Sequence, residues 1–105
     1  MTELSVEDLK KKRDAGETFV LLDVREPDEI ATAAIAGATA IPMMEIPQRL
    51  AELPAAVDIV VLCHHGARSA HVTQFLNDNG YDRAANLDGG IDAWSQRIDR
   101  AIPRY

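Results

Sequence analysis

The segment Ile59-Val60-Val61-Leu62-Cys63-His64-His65-Gly66-Ala67-Arg68-Ser69 joins an apolar run to a short polar loop. The run from Ile59 to Leu62 is continuous and rich in β-branched residues, which predicts a strand buried on both faces of a parallel sheet. Apolar side chains at positions 72, 75 and 76 then follow at helical spacing, and Gly80 supplies the stop. This helix is predicted to begin by about Ser69. Cys63 is therefore placed at the carboxyl end of a strand, where parallel sheets bind their ligands.

A second apolar run, Phe19 to Leu22, predicts the other central strand of the sheet. Weaker strand patterns cover residues 38–41 and 84–87. The predicted helices cover residues 9–13 with Ser5 as the cap, 26–32, 47–53, 69–79, and a last stretch from Gly89-Gly90 to before Pro103. The alternation of strands and helices predicts an α/β fold, a small parallel β-sheet with helices on both faces. We expect one domain spanning residues 1–105.

The net charge limits the expected partners. The chain has 11 Lys+Arg against 17 Asp+Glu, so its formal charge is −6. Because an acidic surface repels nucleic acid and anionic lipid, we expect no nucleic acid and no membrane partner. No apolar run approaches the roughly 20 residues of a membrane span, and Met1-Thr2-Glu3-Leu4 lacks the features of a secretion signal. The expected localisation is cytoplasmic.

Cys63 is the only cysteine of the chain. An intrachain disulfide, a C-x-x-C redox pair and a zinc site with several cysteines are therefore excluded. His64 and His65 could bind a metal ion together with Cys63. Adjacent loop histidines usually diverge, however, and His71 adds no regular ligand spacing, so no metal site is predicted. His71 is expected to be an ordinary, half-exposed helix residue.

The loop after the strand has the composition of an anion site. Residues 59–77 contain no Asp or Glu but hold Arg68 and all three histidines, which predicts a positive patch on a negative protein. Gly66 permits an unusual backbone angle, so the N–H groups of residues 63–69 can turn inward around the sulfur. Such an arrangement favours the thiolate of Cys63, which is the nucleophilic form.

Four ordered motifs resemble those of the rhodanese family over nearly the whole chain. They are Leu21-Leu22-Asp23-Val24-Arg25-Glu26-Pro27-Asp28-Glu29, Ala36-Gly37-Ala38 with Ile41-Pro42, the segment Val61 to Ala70 around Cys63, and Leu87-Asp88-Gly89-Gly90-Ile91-Asp92-Ala93-Trp94. The resemblance implies a rhodanese-like domain with sulfurtransferase activity. In that activity Cys63 takes a sulfane sulfur from a small-molecule donor such as thiosulfate and becomes a persulfide. The sulfur then passes to an external thiol, a protein acceptor or cyanide, and no cofactor is needed.

The implied site combines Cys63 as the catalytic nucleophile with the loop as the substrate-binding element. The loop amides and Ser69 would surround the persulfide, while Arg68, His64 and His65 would bind the donor. The residues assigned to substrate binding are His64, His65, Gly66, Ala67, Arg68 and Ser69.

One position departs from the family pattern. Ala34 stands where many relatives have histidine, and this bears on hydrogen bonding near the pocket and on donor preference. Asp23 and Arg25 could be taken for general-acid residues, but a structural ion pair that braces the loop is favoured. Gly37, Gly89 and Gly90 are expected to serve backbone geometry, and Trp94 is expected in the core.

Two other functions stay open at this stage. A cysteine phosphatase needs a C-x5-R loop to surround a phosphoryl group, whereas only four residues separate Cys63 from Arg68. A non-catalytic or regulatory binding module of the same fold is the second alternative, although its usual mark, loss of the cysteine, is absent here.

Overall fold

A computed structural model describes residues 1–105 and contains one parallel sheet of five strands. The strands are β1 (Thr2–Leu4), β2 (Phe19–Asp23), β3 (Thr39–Ala40), β4 (Asp58–Leu62) and β5 (Ala84–Leu87), arranged in the order β1-β5-β4-β2-β3. All four strand pairings are parallel. The predicted α/β fold is confirmed, and the two apolar runs form β2 and β4, which lie side by side inside the sheet.

Five α-helices connect and cover the strands. They are α1 (Val6–Asp14), α2 (Pro27–Thr32), α3 (Ile46–Arg49), α4 (Ala67–Asp78) and α5 (Gly90–Arg97). Single 3-10 turns, Met43–Glu45 and Leu50–Glu52, flank α3, and the helix predicted for residues 47–53 is divided between α3 and the second of these turns. None of the helices has both the length and the apolar character that crossing a membrane requires.

One helix boundary and one strand differ from the sequence prediction. Helix α4 begins at Ala67, two residues before Ser69, because Gly66 adopts a φ of 112° and lets the chain turn into the helix at once. Strand β1 was not predicted, since three partly exposed residues show no strand pattern of their own. The predicted Ser5 cap is confirmed: its hydroxyl accepts a 3.0 Å hydrogen bond from the backbone N–H of Asp8.

The core consists of two apolar layers, one on each face of the sheet. Alternate residues of β4 point to opposite faces, so Ile59 and Val61 pack with α3 and α4 while Val60 and Leu62 pack with α1 and α5. Trp94 lies in the second layer, as predicted. Cys63 continues the first layer, which places its side chain on the α4 side of the sheet.

The strand register determines which loops meet. Asp23, the last residue of β2, pairs with Leu62, the last residue of β4. The chain segments that follow these two strands therefore leave the sheet at the same edge. Val24 continues the pairing by donating a 3.1 Å hydrogen bond to the carbonyl of Leu62. This adjacency brings α2 against the loop that carries Cys63.

Candidate active site

The sulfur of Cys63 lies inside a ring of hydrogen-bond donors. It accepts from the backbone N–H of Gly66 at 3.1 Å, from the N–H of Ser69 at 3.4 Å and from the Ser69 hydroxyl at 3.3 Å. The Cys63 residue is only 1% exposed. Donors that converge on a sulfur stabilise negative charge there, so this loop is suited to hold a thiolate or a persulfide anion. The structure thus brings together Cys63, Gly66 and Ser69 as the sequence predicted.

Hydrogen bonds from α5 and β5 hold the loop in place. The first amides of α5, those of Ile91 and Asp92, donate to the carbonyls of Cys63 and His64 at 2.9 and 3.1 Å. The side-chain amide of Asn86 donates to the carbonyl of Gly66 at 3.3 Å. Loop carbonyls are thus bound by the surrounding structure, which leaves the N–H groups of Gly66 and Ser69 directed at the sulfur.

Gly90 is required by this close approach. A Cβ atom at residue 90 would lie 2.5 Å from the carbonyl oxygens of both Cys63 and His64, and the residue has a φ of 59°. The expectation that Gly90 serves backbone geometry is confirmed, and the backbone it approaches is the loop that carries Cys63.

Arg68 does not stand free beside the sulfur. Its guanidinium makes two hydrogen bonds to the carboxylate of Glu29, at 2.7 and 2.8 Å, in a bidentate ion pair. The predicted positive patch of residues 59–77 therefore has the charge of Arg68 paired with an acid from outside that segment. Glu29 belongs to α2, and the β2–β4 pairing carries it to a segment 39 residues away. The hydrogen bonds from Arg68 hold the pKa of the Glu29 carboxyl at about 2.

Asp23 and Arg25 form the buried ion pair that the sequence favoured. The Arg25 guanidinium is fully buried and donates to Asp23 at 2.7 Å and to the carbonyl of Ala33 at 2.7 Å. Burial opposes the charge on Arg25, yet its hydrogen bonds to Asp23 and Tyr105 keep its pKa above the ordinary value. The pair fixes the turn into α2, and the exposed Ala34 lies just after the carbonyl that Arg25 holds.

The two loop histidines lie at the surface end of the loop. Their rings contact each other with centroids 3.8 Å apart, and the His65 Nε2 is 3.9 Å from a carboxylate oxygen of Asp92. Nitrogen atoms of His64 and His65 and a carboxylate oxygen of Asp92 lie within 4.8 Å of one another. The sequence did not suggest Asp92 as a partner of the two histidines. Both oxygens of Asp92 also accept hydrogen bonds from Arg104, at 2.9 and 3.3 Å, so the carboxylate already has a cation.

Tyr105 is a neighbour of the loop that the sequence did not predict. Its ring stacks on His64 with centroids 3.9 Å apart and an interplanar angle of 4°. Its hydroxyl accepts a 2.9 Å hydrogen bond from Arg25 and donates a 2.8 Å hydrogen bond to Glu29. Burial, the main cause, raises the pKa of Tyr105. No strand or helix pattern in the sequence connects residue 105 to the loop. Glu29, by contrast, lies within the first of the four family-like motifs, Leu21 to Glu29.

The comparison with known families is specific. The family model of the rhodanese-like domain matches residues 5–97. The chain belongs to the rhodanese-like domain family. A sulfurtransferase of Allochromatium vinosum is 40% identical over 96 residues, which cover 91% of this chain and 90% of that protein.

Two solved structures show how the rhodanese-like fold is retained. A rhodanese-like domain protein from Staphylococcus aureus superposes with a TM-score of 0.87 and 31% identity, covering 100% of this chain and 99% of that one. A thiosulfate sulfurtransferase from Pseudomonas aeruginosa superposes with a TM-score of 0.82 and 31% identity, covering 91% of this chain but 19% of that one.

Proposed function

We propose that this rhodanese-like domain is a sulfurtransferase that carries sulfur as a persulfide on Cys63. The observation that carries the proposal is the sulfur of Cys63 held by three converging donors from Gly66 and Ser69. These donors match what a persulfide anion needs, namely partial positive charge from several directions without a titrating group in contact. The name of the Allochromatium relative supports a sulfur-transfer role.

The proposed donor is thiosulfate or a compound of similar size and charge. The Cys63 thiolate attacks the outer sulfur of thiosulfate, forming a new sulfur–sulfur bond. The original sulfur–sulfur bond breaks, and its electron pair leaves with sulfite. The product is a Cys63 persulfide anion, and no oxidant or reductant is required. The name of the Pseudomonas relative supports this choice of donor.

Arg68, His64 and His65 are proposed to bind the incoming dianion. Arg68 reaches the donor by exchanging one or both hydrogen bonds to Glu29 for bonds to a sulfonate oxygen, which a bidentate guanidinium is suited to make. The side chain of His65 is exposed and that of His64 lies beside it, so both stand where a donor approaches the loop. Ala67 contributes its backbone at the start of α4.

The acceptor comes from outside the chain, because Cys63 has no second cysteine to resolve it. Cyanide, a small thiol or a protein thiolate attacks the outer sulfur and releases the Cys63 thiolate, which completes the cycle. We propose no cofactor for either half of the reaction.

Parallel assays test the proposal. Thiosulfate with cyanide should yield thiocyanate, while an aryl phosphate should not be hydrolysed at a comparable rate, since the C-x4-R loop is one residue short for a phosphoryl group. Cys63→Ser should abolish sulfur transfer, and Ser69→Ala should reduce it by about tenfold through loss of one hydrogen bond to a charged sulfur. Sulfur transfer by the Cys63→Ser protein would refute the assignment, and silence in both assays would favour the binding module.

A further inference from the structure

The last residue of the chain lies against the proposed active-site loop. The Tyr105 ring stacks on His64, the residue directly after Cys63, with centroids 3.9 Å apart. Residue 105 is outside the range matched by the rhodanese-like family model, which ends at residue 97. The contact therefore involves a residue beyond the range that the family model matches.

The hydroxyl of Tyr105 is linked to the opposite end of the same loop through Glu29. It donates to Glu29 at 2.8 Å, and Glu29 in turn binds Arg68 through both carboxylate oxygens. One aromatic side chain thus connects the first residue after Cys63 with the ion pair of Arg68. Tyr105 contacts one end of the loop directly and the other end only through Glu29.

The tail that carries Tyr105 is attached at several points but is not part of the core. Arg104 binds both oxygens of Asp92 on α5, and the Ser95 hydroxyl binds the carbonyl of Ile102. The Arg25 guanidinium adds a hydrogen bond to the Tyr105 hydroxyl and lies 5.8 Å from its ring centroid. Tyr105 itself is 40% exposed, so its ring can move without opening the core.

A surface cavity lies beside the Arg68 end of the loop. It has a volume of about 300 Å³ and is lined by Met43, Ala67, Arg68 and His71. This cavity gives a small anion room to reach Arg68 while Tyr105 keeps its contacts. A bulkier molecule needs the space over His64 as well.

We propose that Tyr105 is a specificity-determining residue that restricts access to Cys63 by size. With the ring stacked on His64, small molecules such as thiosulfate and cyanide reach the sulfur, whereas bulky thiols require the ring to swing away. This inference rests on the proposed sulfur-transfer function. It adds to that function a size limit on the donors and acceptors and names the residue that imposes it.

Alkylation of the single thiol tests this size limit independently of sulfur transfer. The rate of modification of Cys63 is measured with iodoacetamide as the small reagent and fluorescein maleimide as the bulky one, by intact mass. Tyr105→Ala should raise the maleimide rate by about tenfold, which corresponds to about 1.4 kcal/mol for displacing the ring. The iodoacetamide rate should change by less than about threefold, because that reagent does not need the ring to move.

Two further variants separate the ring from its anchors. Tyr105→Phe retains the stack on His64 but loses both hydrogen bonds, so its maleimide rate should lie between those of wild type and Tyr105→Ala. Met44→Ala, which truncates another exposed apolar side chain, is the control and should leave both rates unchanged. The thermal midpoint of each variant verifies folding.

An unchanged ratio of maleimide to iodoacetamide rates in folded Tyr105→Ala would overturn the inference. The same variant should also increase sulfur transfer to glutathione relative to cyanide by about tenfold. If no variant and no wild-type protein forms a persulfide, the proposed function fails while the alkylation ratio still reports on Tyr105. The two failures are therefore distinguishable.

Discussion

The contact between Gly90 and the active-site loop leads to a quantitative prediction for Gly90→Ala. The added Cβ would lie 2.5 Å from the carbonyl oxygens of Cys63 and His64, whereas ordinary contacts begin at 3.4 Å, so 3.4 − 2.5 = 0.9 Å must be gained. Both neighbours are backbone atoms, which cannot rotate away. The loop and the start of α5 must therefore separate.

The size of the effect follows from what this separation breaks. An alanine at a φ of 59° costs about 1–2 kcal/mol on its own. The hydrogen bonds from Ile91 and Asp92 to the loop carbonyls are lost or weakened, at about 1 kcal/mol each. We expect Gly90→Ala to lower the free energy of unfolding by about 3–4 kcal/mol. A loop shift approaching 1 Å should also slow sulfur transfer by on the order of a hundredfold.

Gly16→Ala is the matched control. Gly16 has a similar φ of 68°, but an added Cβ there meets nothing within 4 Å. Gly16→Ala should therefore lower the free energy of unfolding only by the penalty for alanine at a positive φ, about 1–2 kcal/mol. It should leave sulfur transfer intact. Urea unfolding and the thiosulfate:cyanide rate are measured for both variants. Equal losses of stability with equal activities would refute the role given to the Gly90 contact.

The remaining predictions concern the two ion pairs. Arg25→Met should destabilise the fold by about 3–5 kcal/mol in urea unfolding, since it leaves a buried carboxylate unpaired. Adding Asp23→Leu should recover part of that loss, and a double variant no more stable than Arg25→Met would contradict the pairing. The pKa of Glu29 falls from 4.5 to about 2 on folding, so its carboxylate stabilises the fold above pH 4.5 and this contribution disappears as pH falls to about 2. Glu29→Gln can keep the cap of α2 while removing the charge. The difference in unfolding free energy between wild type and this variant should shrink over that pH range, and a constant difference would argue against the Arg68 pair.

Local patterns in the sequence predicted the elements that decide the fold. The runs Phe19–Leu22 and Ile59–Leu62 are short, continuous and apolar, so they indicate buried parallel strands without any tertiary information. The position of Cys63 after the second run predicted its place at the sheet edge. Strand β1 escaped prediction because Thr2–Leu4 becomes a strand only by pairing with β5.

The surroundings of the loop depended on contacts distant in sequence. Arg68 and Glu29 are 39 residues apart and meet because β2 and β4 are neighbours. Charge counting along residues 59–77 could not detect an acid brought from α2. Tyr105 lies 41 residues from His64, 105 − 64, in a tail without periodicity, so its stacking depends on the three-dimensional course of the chain. The cradle around Cys63 was predictable because all its donors lie within six residues of the sulfur.

The persulfide on Cys63 is the central claim, and the intact mass of the protein tests it most directly. After incubation with thiosulfate and removal of excess donor, the mass should rise by about 32 Da, the mass of one sulfur atom. Cyanide should return it to the starting value, and the Cys63→Ser protein should show no gain. An unchanged wild-type mass, or an equal gain in Cys63→Ser, would contradict the claim.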